Sequence, residues 1–246
     1  MTGQAKRIGL IVLATDRTSE RDYRMGLEGT GIDLYVNRVP YANPMTIDNL
    51  RAVLKDLRQA SDDLLPGIPF DAIAFSCTSA SALIGDDAVF EAIKGAKPDA
   101  SVVTPPLASV HAFQSLHCPT ISLLTPYDRA ITDAMAGYFE SHGLGVAAST
   151  SLELNDDQSM AALGQDVIIA HAKNAFDPAS EALFISCTAL RSLEAIDRIE
   201  QAIGAPVVTS NQAALWACLC ACGVTAAPPA AVGRLMKPVF HSMSLP

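Results

Sequence analysis

Four stretches in the first half of this chain recur, in the same order, in the second half. GLIVLATDR, running from Gly9 to Arg17, lies against ISLLTPYDR, from Ile121 to Arg129, and both place an Asp-Arg pair after an apolar run. Asn43 meets Asn155, FSCT around Cys77 meets ISCT around Cys187, and ASVVT ending at Thr104 meets APVVT ending at Thr209. The offset drifts slowly from 112 to 105 positions along the chain. One such match means little, because strand ends that lead into helices look alike. Four in order indicate that one architecture is used twice.

Short apolar runs alternate with helical stretches throughout, the pattern of an α/β protein with parallel strands. Strands are expected at Arg7–Leu13, Asp33–Val39, Ala72–Ser76, Ser101–Thr104, Thr120–Leu124, Gly145–Ser149, Ala182–Ser186 and Pro206–Val208. Helices are expected to fill much of Asn43–Leu64, Asp86–Lys94, Leu107–Ser115, Tyr127–His142, Ser159–Ala175, Leu190–Ile203 and Gln212–Cys222. Eight strands in two runs of four give two pseudo-symmetric halves, each with a four-stranded parallel sheet. The first domain is expected to cover 1–115 together with a returning tail, 212–246, and the second 116–211. Ligands of parallel sheets sit beyond the carboxyl ends of the strands. Two halves related by a pseudo-twofold axis would therefore enclose a cleft with like groups on both walls.

That geometry singles out Cys77 and Cys187. Each follows an apolar strand, AIAFS or ALFIS, and precedes a turn into a helix. Unpaired amides at a helix start favour negative charge, so a lowered thiol pKa is expected at both. The same amides, with the hydroxyls of Thr78, Ser79 and Thr188, could hold a carboxylate. Two thiols on opposite faces of a bound carbon suit proton transfer: one, as thiolate, removes a proton and the other delivers one from the far side. Alternatively one thiolate adds to a double bond and allows rotation before elimination. Neither route needs a metal or a cofactor. Two small buried residues at strand ends would be the bland account of a single Ser-Cys-Thr; recurrence at equivalent positions favours catalysis.

The remaining composition narrows the field. A net charge of −9 and a pI near 4.9 give no electrostatic reason to bind nucleic acid or an anionic membrane. A mean hydropathy of +0.26 and sparse charge point to a well-buried globular chain. Asp16 and Arg17 end the first apolar run before it could span a bilayer, and no secretory signal is visible. The six cysteines (Cys77, Cys118, Cys187, Cys218, Cys220 and Cys222) contain no CxxC pair, so reduced thiols in the cytoplasm are expected. Cys218 to Cys222 lie on a helix and read as small buried hydrophobes. The five histidines show no metal-ligand spacing, and neither GxGxxG nor GxxxxGK[ST] occurs. So apolar a chain is expected to form a homo-oligomer, by default a dimer.

The segments AFSCTSAS, FISCTALRSLEAID, LLTPYDRAITDAM and VVTSNQAALWA resemble those of maleate cis–trans isomerases and arylmalonate decarboxylases, in the aspartate/glutamate racemase superfamily. The resemblance covers nearly the whole chain and implies two flavodoxin-like halves with the active site between them. The opening IGLIVLATDRTSERDYR looks most like the ectoine utilisation (EutA) branch. The resemblance implies a cofactor-independent racemase, epimerase or cis–trans isomerase acting on a small carboxylate, possible substrates being ectoine or hydroxyectoine derivatives. Its catalytic pair would be Cys77 and Cys187, with Tyr127 and Asn155 on the substrate carboxylate and Thr78, Ser79 and Thr188 beside it. The decarboxylases keep only the second cysteine. Maleate isomerases carry an asparagine in a Pro-Ser-Ser-Asn-Thr-Thr segment after the first strand, where this chain has Asp16. A carboxylate there suits a cationic amidine or ammonium group better than a second carboxylate. A helix N-cap is an equally good account of Asp16. A small-carboxylate binding protein without catalysis is the alternative from another class.

Overall fold

In the computed structural model, residues 5–228 and 232–237 are described. The first half runs β1 (Arg7–Leu13), α1 (Ser19–Leu27), β2 (Asp33–Val39), α2 (Ile47–Ala52), α3 (Leu54–Asp62), β3 (Ala72–Ser76), α4 (Thr78–Ile84), α5 (Asp86–Lys94), β4 (Ser101–Val103) and α6 (Pro105–Ser115). The second runs β5 (Thr120–Thr125), α7 (Arg129–Ser141), β6 (Gly145–Ser151), α8 (Asp157–Ala161), α9 (Gln165–Ala175), β7 (Ala182–Ile185), α10 (Ile196–Ile203) and β8 (Val207–Thr209). Two further helices follow, α11 (Ser210–Ala221) and α12 (Gly233–Met236).

The two sheets are wholly parallel and share one topology, β2-β1-β3-β4 and β6-β5-β7-β8. All eight expected strands form. The inner strands and β8 do so because their apolar residues are covered on both faces: Ile8, Leu10, Ile73, Phe75, Leu123, Phe184 and Val208 are all fully or almost fully buried, whereas the edge strands β2 and β6 are mostly half-buried. In each sheet the strand order reverses between the first and third strands, the switch point beyond whose carboxyl ends such sheets bind their ligands. The register pairs Val12 with Ser76 and Leu124 with Ile185. Both cysteines thus emerge at the switch points.

Several helices depart from expectation. Asn43–Leu64 holds two helices, since Asn43-Pro44 is a turn and α2 stops at Ala52. Ser159–Ala175 is broken before Gly164, the N-cap of α9. Helix α4 is the helix expected after Cys77, and α1 begins just after Asp16, where an N-cap is one of the two readings of the sequence. Helix α1 is packed so closely on α11 that a Cβ on Gly26 would come within 2.1 Å of a Leu215 methyl. The tail expected to return to the first half divides: α11 packs on α6, β3 and β4, whereas α12 lies on β8 and α10 of the second. Residues 238–246, including His241, lie outside the described residues. Among the described residues no helix is long and apolar enough to cross a membrane.

Candidate active site

The aspartate of the repeated Asp-Arg pair accepts backbone N–H groups where a helix begins in both halves, as the N-cap of α7 at Asp128 and two residues ahead of the N-cap Thr18 at Asp16. Asp128 accepts the Ile131 N–H and caps α7, while Asp16 accepts the N–H groups of Thr18 and Ser19 and the Ser19 hydroxyl at the start of α1. Both Asp16 oxygens accept within the turn that leads into α1, whose N-cap is Thr18. Its charge remains costly: burial raises its pKa despite these donors.

Loops from the two halves lace together over the cleft. Met45 N–H donates to the Asn155 carbonyl at 2.7 Å, and the Asp157 N–H reaches Asn43 Oδ1 at 3.4 Å. Thr15 donates its hydroxyl to Asp157. Beneath them, Thr188 Oγ1 donates to the Ser76 carbonyl and Thr18 Oγ1 to the Ala189 carbonyl. These bonds bring Cys77 and Cys187 into one buried site, each 4 % exposed, with the charge of Cys77 felt at Cys187.

The two cysteines are alike in position but unlike in conformation. Cys77 is the extended N-cap of α4, with φ −150°, and its sulfur lies 3.9 Å from Ser79 Oγ. Cys187 has φ +90°, in the region that favours glycine. It leads into an irregular turn, and the helix expected from Leu190 begins only at a 3₁₀ turn, Leu193–Ala195, followed by α10. No helix start therefore faces Cys187. Each sulfur is served by one amide: Ala80 N–H at Cys77 and Ala189 N–H, at 3.4 Å, at Cys187. Cys187 Sγ also touches Met160 Sδ at 3.6 Å.

The expected lowering of the thiol pKa values is overturned. Burial pushes Cys77 up to about 12 and raises Cys187 as well. Loss of water outweighs the single amide at each sulfur, and the Asp157 carboxylate adds a further upward push. Both groups are thiols at neutral pH.

Tyr127, expected on the substrate carboxylate, lies beside both cysteines. It is buried, accepts the Ser186 hydroxyl at 3.2 Å, and its own hydroxyl lies in reach of Cys187 and Ser79. Thr78 and Thr188 are close by, but their hydroxyls are held by Ser210 Oγ (2.7 Å) and the Ser76 carbonyl. Asn155 stands exposed at the mouth. Two residues escaped sequence reasoning. Asp157 is buried, shares the site with both cysteines and has a raised pKa through burial. Tyr41 lies within electrostatic reach of Cys77, Asp157 and Cys187, and its buried hydroxyl has no protein partner among the described residues. The NDD run at 155–157 held a signal for Asp157; nothing in the sequence marked Tyr41.

Elsewhere, Cys218 and Cys222 are buried and Cys220 half-buried along α11. Among the described residues no three His, Cys, Asp or Glu side chains are grouped to hold a metal ion.

Comparisons with known proteins show relatives of the same fold. A maleate isomerase from Nocardia farcinica (strain IFM 10152) is 24% identical over 243 residues, covering 94% of this chain and 96% of that one. A maleate isomerase from Alcaligenes faecalis is 34% identical over 97 residues, which span 39% of this chain and only 37% of that protein. The solved structure of a Nocardia farcinica maleate cis-trans isomerase mutant with a covalently bound succinylcysteine intermediate superposes with a TM-score of 0.86 at 22% identity, over 95% of this chain and 99% of the other. The family model for arylmalonate decarboxylase (Amdase) matches residues 43–236, a span that includes both cysteines. With most of its length so matched, the chain belongs to the arylmalonate decarboxylase family, in the aspartate/glutamate racemase-like superfamily.

Proposed function

We propose that this chain is a cofactor-independent isomerase that moves a proton at the carbon beside a carboxylate, with Cys77 and Cys187 as the acid/base pair. The observation that carries the proposal is the pairing of two buried thiols around Tyr127 and Asp157. One sulfur, as thiolate, takes the proton from the substrate carbon. The other, as thiol, gives its proton to the opposite face, and the roles reverse for the return reaction. The amides opening α4 and the Tyr127 hydroxyl would hold the carboxylate.

The electrostatics favour a substrate that also bears a positive nitrogen. Both thiols are raised in pKa, and a cation beside them would lower it, whereas a dianion would raise it further. The cation specificity expected of Asp16 passes to Asp157, whose carboxylate has one hydroxyl donor and lies by both sulfurs. Amino acids meet this requirement, and so do ectoine-derived amidines and their ring-opened products. The test is incubation in deuterated buffer with such compounds, following deuterium at the α-carbon by NMR. Exchange that vanishes in Cys77→Ala and in Cys187→Ala is the expected result; exchange persisting in both would refute it.

A second reading is supported by the likeness to a maleate isomerase along nearly the full length. Here one thiolate adds to the double bond of maleate, the new single bond rotates, and elimination yields fumarate. Conversion of maleate to fumarate without deuterium exchange of amino acids would favour it.

A further inference from the structure

A cavity of about 350 Å³ opens on the far side of α8 from the cysteines. Its walls are Arg17, Thr18 and Arg21 from the first half and Gln158 and Arg191 from the second. Three guanidinium groups converge there in a chain whose net charge is −9. Glu194 sits behind two of them: it pairs with Arg21 across the boundary between the halves and with Arg191 at 3.8 Å, while Gln165 donates to it as well. Glu194 therefore fixes the two arginines in place and is itself saturated. Arg17 has no hydrogen bond or ion pair among the described residues. The cavity thus has a cationic excess and an uncommitted guanidinium, the arrangement that recognises carboxylate or phosphate.

Helix α8 is the partition between this cavity and the cysteines. Asp157 and Met160 are buried on its inner side, with Met160 against Cys187, whereas Gln158 and Ala161 line the arginine pocket. Thr18, at the base of the pocket, is bonded to the carbonyl of Ala189, whose own amide serves Cys187.

We propose that the Arg17–Arg21–Arg191 pocket binds the anionic group, carboxylate or phosphate, of a small molecule across α8 from the cysteine site. The anion comes either from the distal end of the substrate or from a separate small molecule. Which of these it is rests on the cleft being catalytic; the binding itself does not.

Inorganic phosphate is the probe, titrated by calorimetry into the full chain with ionic strength held constant by chloride. Saturable binding is expected in the wild type. It should weaken by about threefold in Arg17→Gln and by at least about tenfold in Arg17→Gln/Arg191→Gln. Arg17→Gln should leave the thermal midpoint without phosphate unchanged, since Arg17 holds no part of the fold. Equal affinity in the wild type and the double variant, or no saturable binding in the wild type, would overturn the proposal. Where turnover is measured, competitive inhibition by phosphate assigns the pocket to the substrate, and noncompetitive inhibition assigns it to a separate anion; either supports the site. Absence of any turnover, with phosphate binding intact, would count against the isomerase alone.

Discussion

Thr188 Oγ1 donates a hydrogen bond to the Ser76 carbonyl at 3.2 Å, so the residue after one cysteine is tied to the residue before the other. It joins the two halves at the point where their sulfurs must be held apart by one substrate carbon. Thr188→Val keeps the shape and removes the donor, leaving a buried carbonyl short of a partner. A loss of about 1 kcal/mol in stability is expected, together with a fall of about tenfold or more in turnover, while Thr188→Ser retains most of both. Chemical denaturation and steady-state kinetics on the two variants check this. Equal kinetics in Val and Ser would show that the bond does not set the cysteines.

Replacing either thiol should separate folding from chemistry. Cys77→Ala and Cys187→Ala each remove one buried sulfur from a packed site, a deletion costing about 1–2 kcal/mol. Turnover should fall by at least about a thousandfold in each, because the pair acts as a unit and its losses do not add. The double variant should be no slower than either single one. An active double alanine variant would remove the cysteines from the mechanism.

Cys187 also lends itself to a backbone test. At φ +90° an L-residue is strained, and glycine is not. Cys187→Gly should therefore be more stable than Cys187→Ala by about 1 kcal/mol, although both are inactive. The same exchange at Cys77, extended at φ −150°, should go the other way, with alanine the more stable. Thermal or denaturant midpoints on the four variants decide it.

The sequence could disclose as much as lies in local pattern. Strand positions followed from apolar runs, and the twin cysteines from their recurrence after equivalent strands. Asp16 and Asp128 were matched by the repeat, and each accepts a backbone N–H at the start of the helix that follows. The thiol pKa values were misjudged because the field of a helix start is local, whereas desolvation depends on how the two halves close. Cys187 lacked even the helix start, since Thr188–Ser192 takes up the turn that carries the chain from φ +90° into the 3₁₀ segment. Asp157 and Tyr41 reach the site only through the loops that lace the halves together, Met45 to Asn155 and Thr15 to Asp157. No spacing within one half records such contacts.

Raised thiol pKa values predict the pH course of alkylation. Burial holds Cys77 near 12, so its thiolate fraction should grow about tenfold per pH unit. Labelling of the unliganded protein by iodoacetamide, mapped by mass spectrometry, should rise in that way for Cys77 and Cys187 from about pH 7 to pH 10. A plateau below pH 8 would mean that the amides of Ala80 and Ala189 outweigh desolvation after all.

Asp22 gives the fold its own pH dependence. Its side chain is 2% exposed, one oxygen accepts Asn211 Nδ2 at 2.8 Å, and the other has no hydrogen-bond partner among the described residues but lies 3.9 Å from Arg21 Nη1. Burial lifts its pKa from 3.8 to about 6, against the pull of Asn211 and Arg21. A carboxyl raised in the folded state is bound to its proton more tightly there than in the unfolded chain. Its stabilising contribution is fully present below about pH 4 and is lost as pH rises through about 6, amounting to at most about 3 kcal/mol. Asp22→Asn cannot titrate, yet its carbonyl can still accept from Asn211. The stability of the wild type relative to Asp22→Asn should therefore decline between pH 4 and pH 6.5 and level off above. Urea denaturation of both proteins across that window measures the difference, in which the titrations of Asp16 and Asp157 largely cancel. Parallel curves would place the Asp22 pKa near its ordinary value. Because Asn211 Nδ2 also donates to the Thr188 carbonyl at 3.0 Å, the same ionisation is felt one bond away from Cys187.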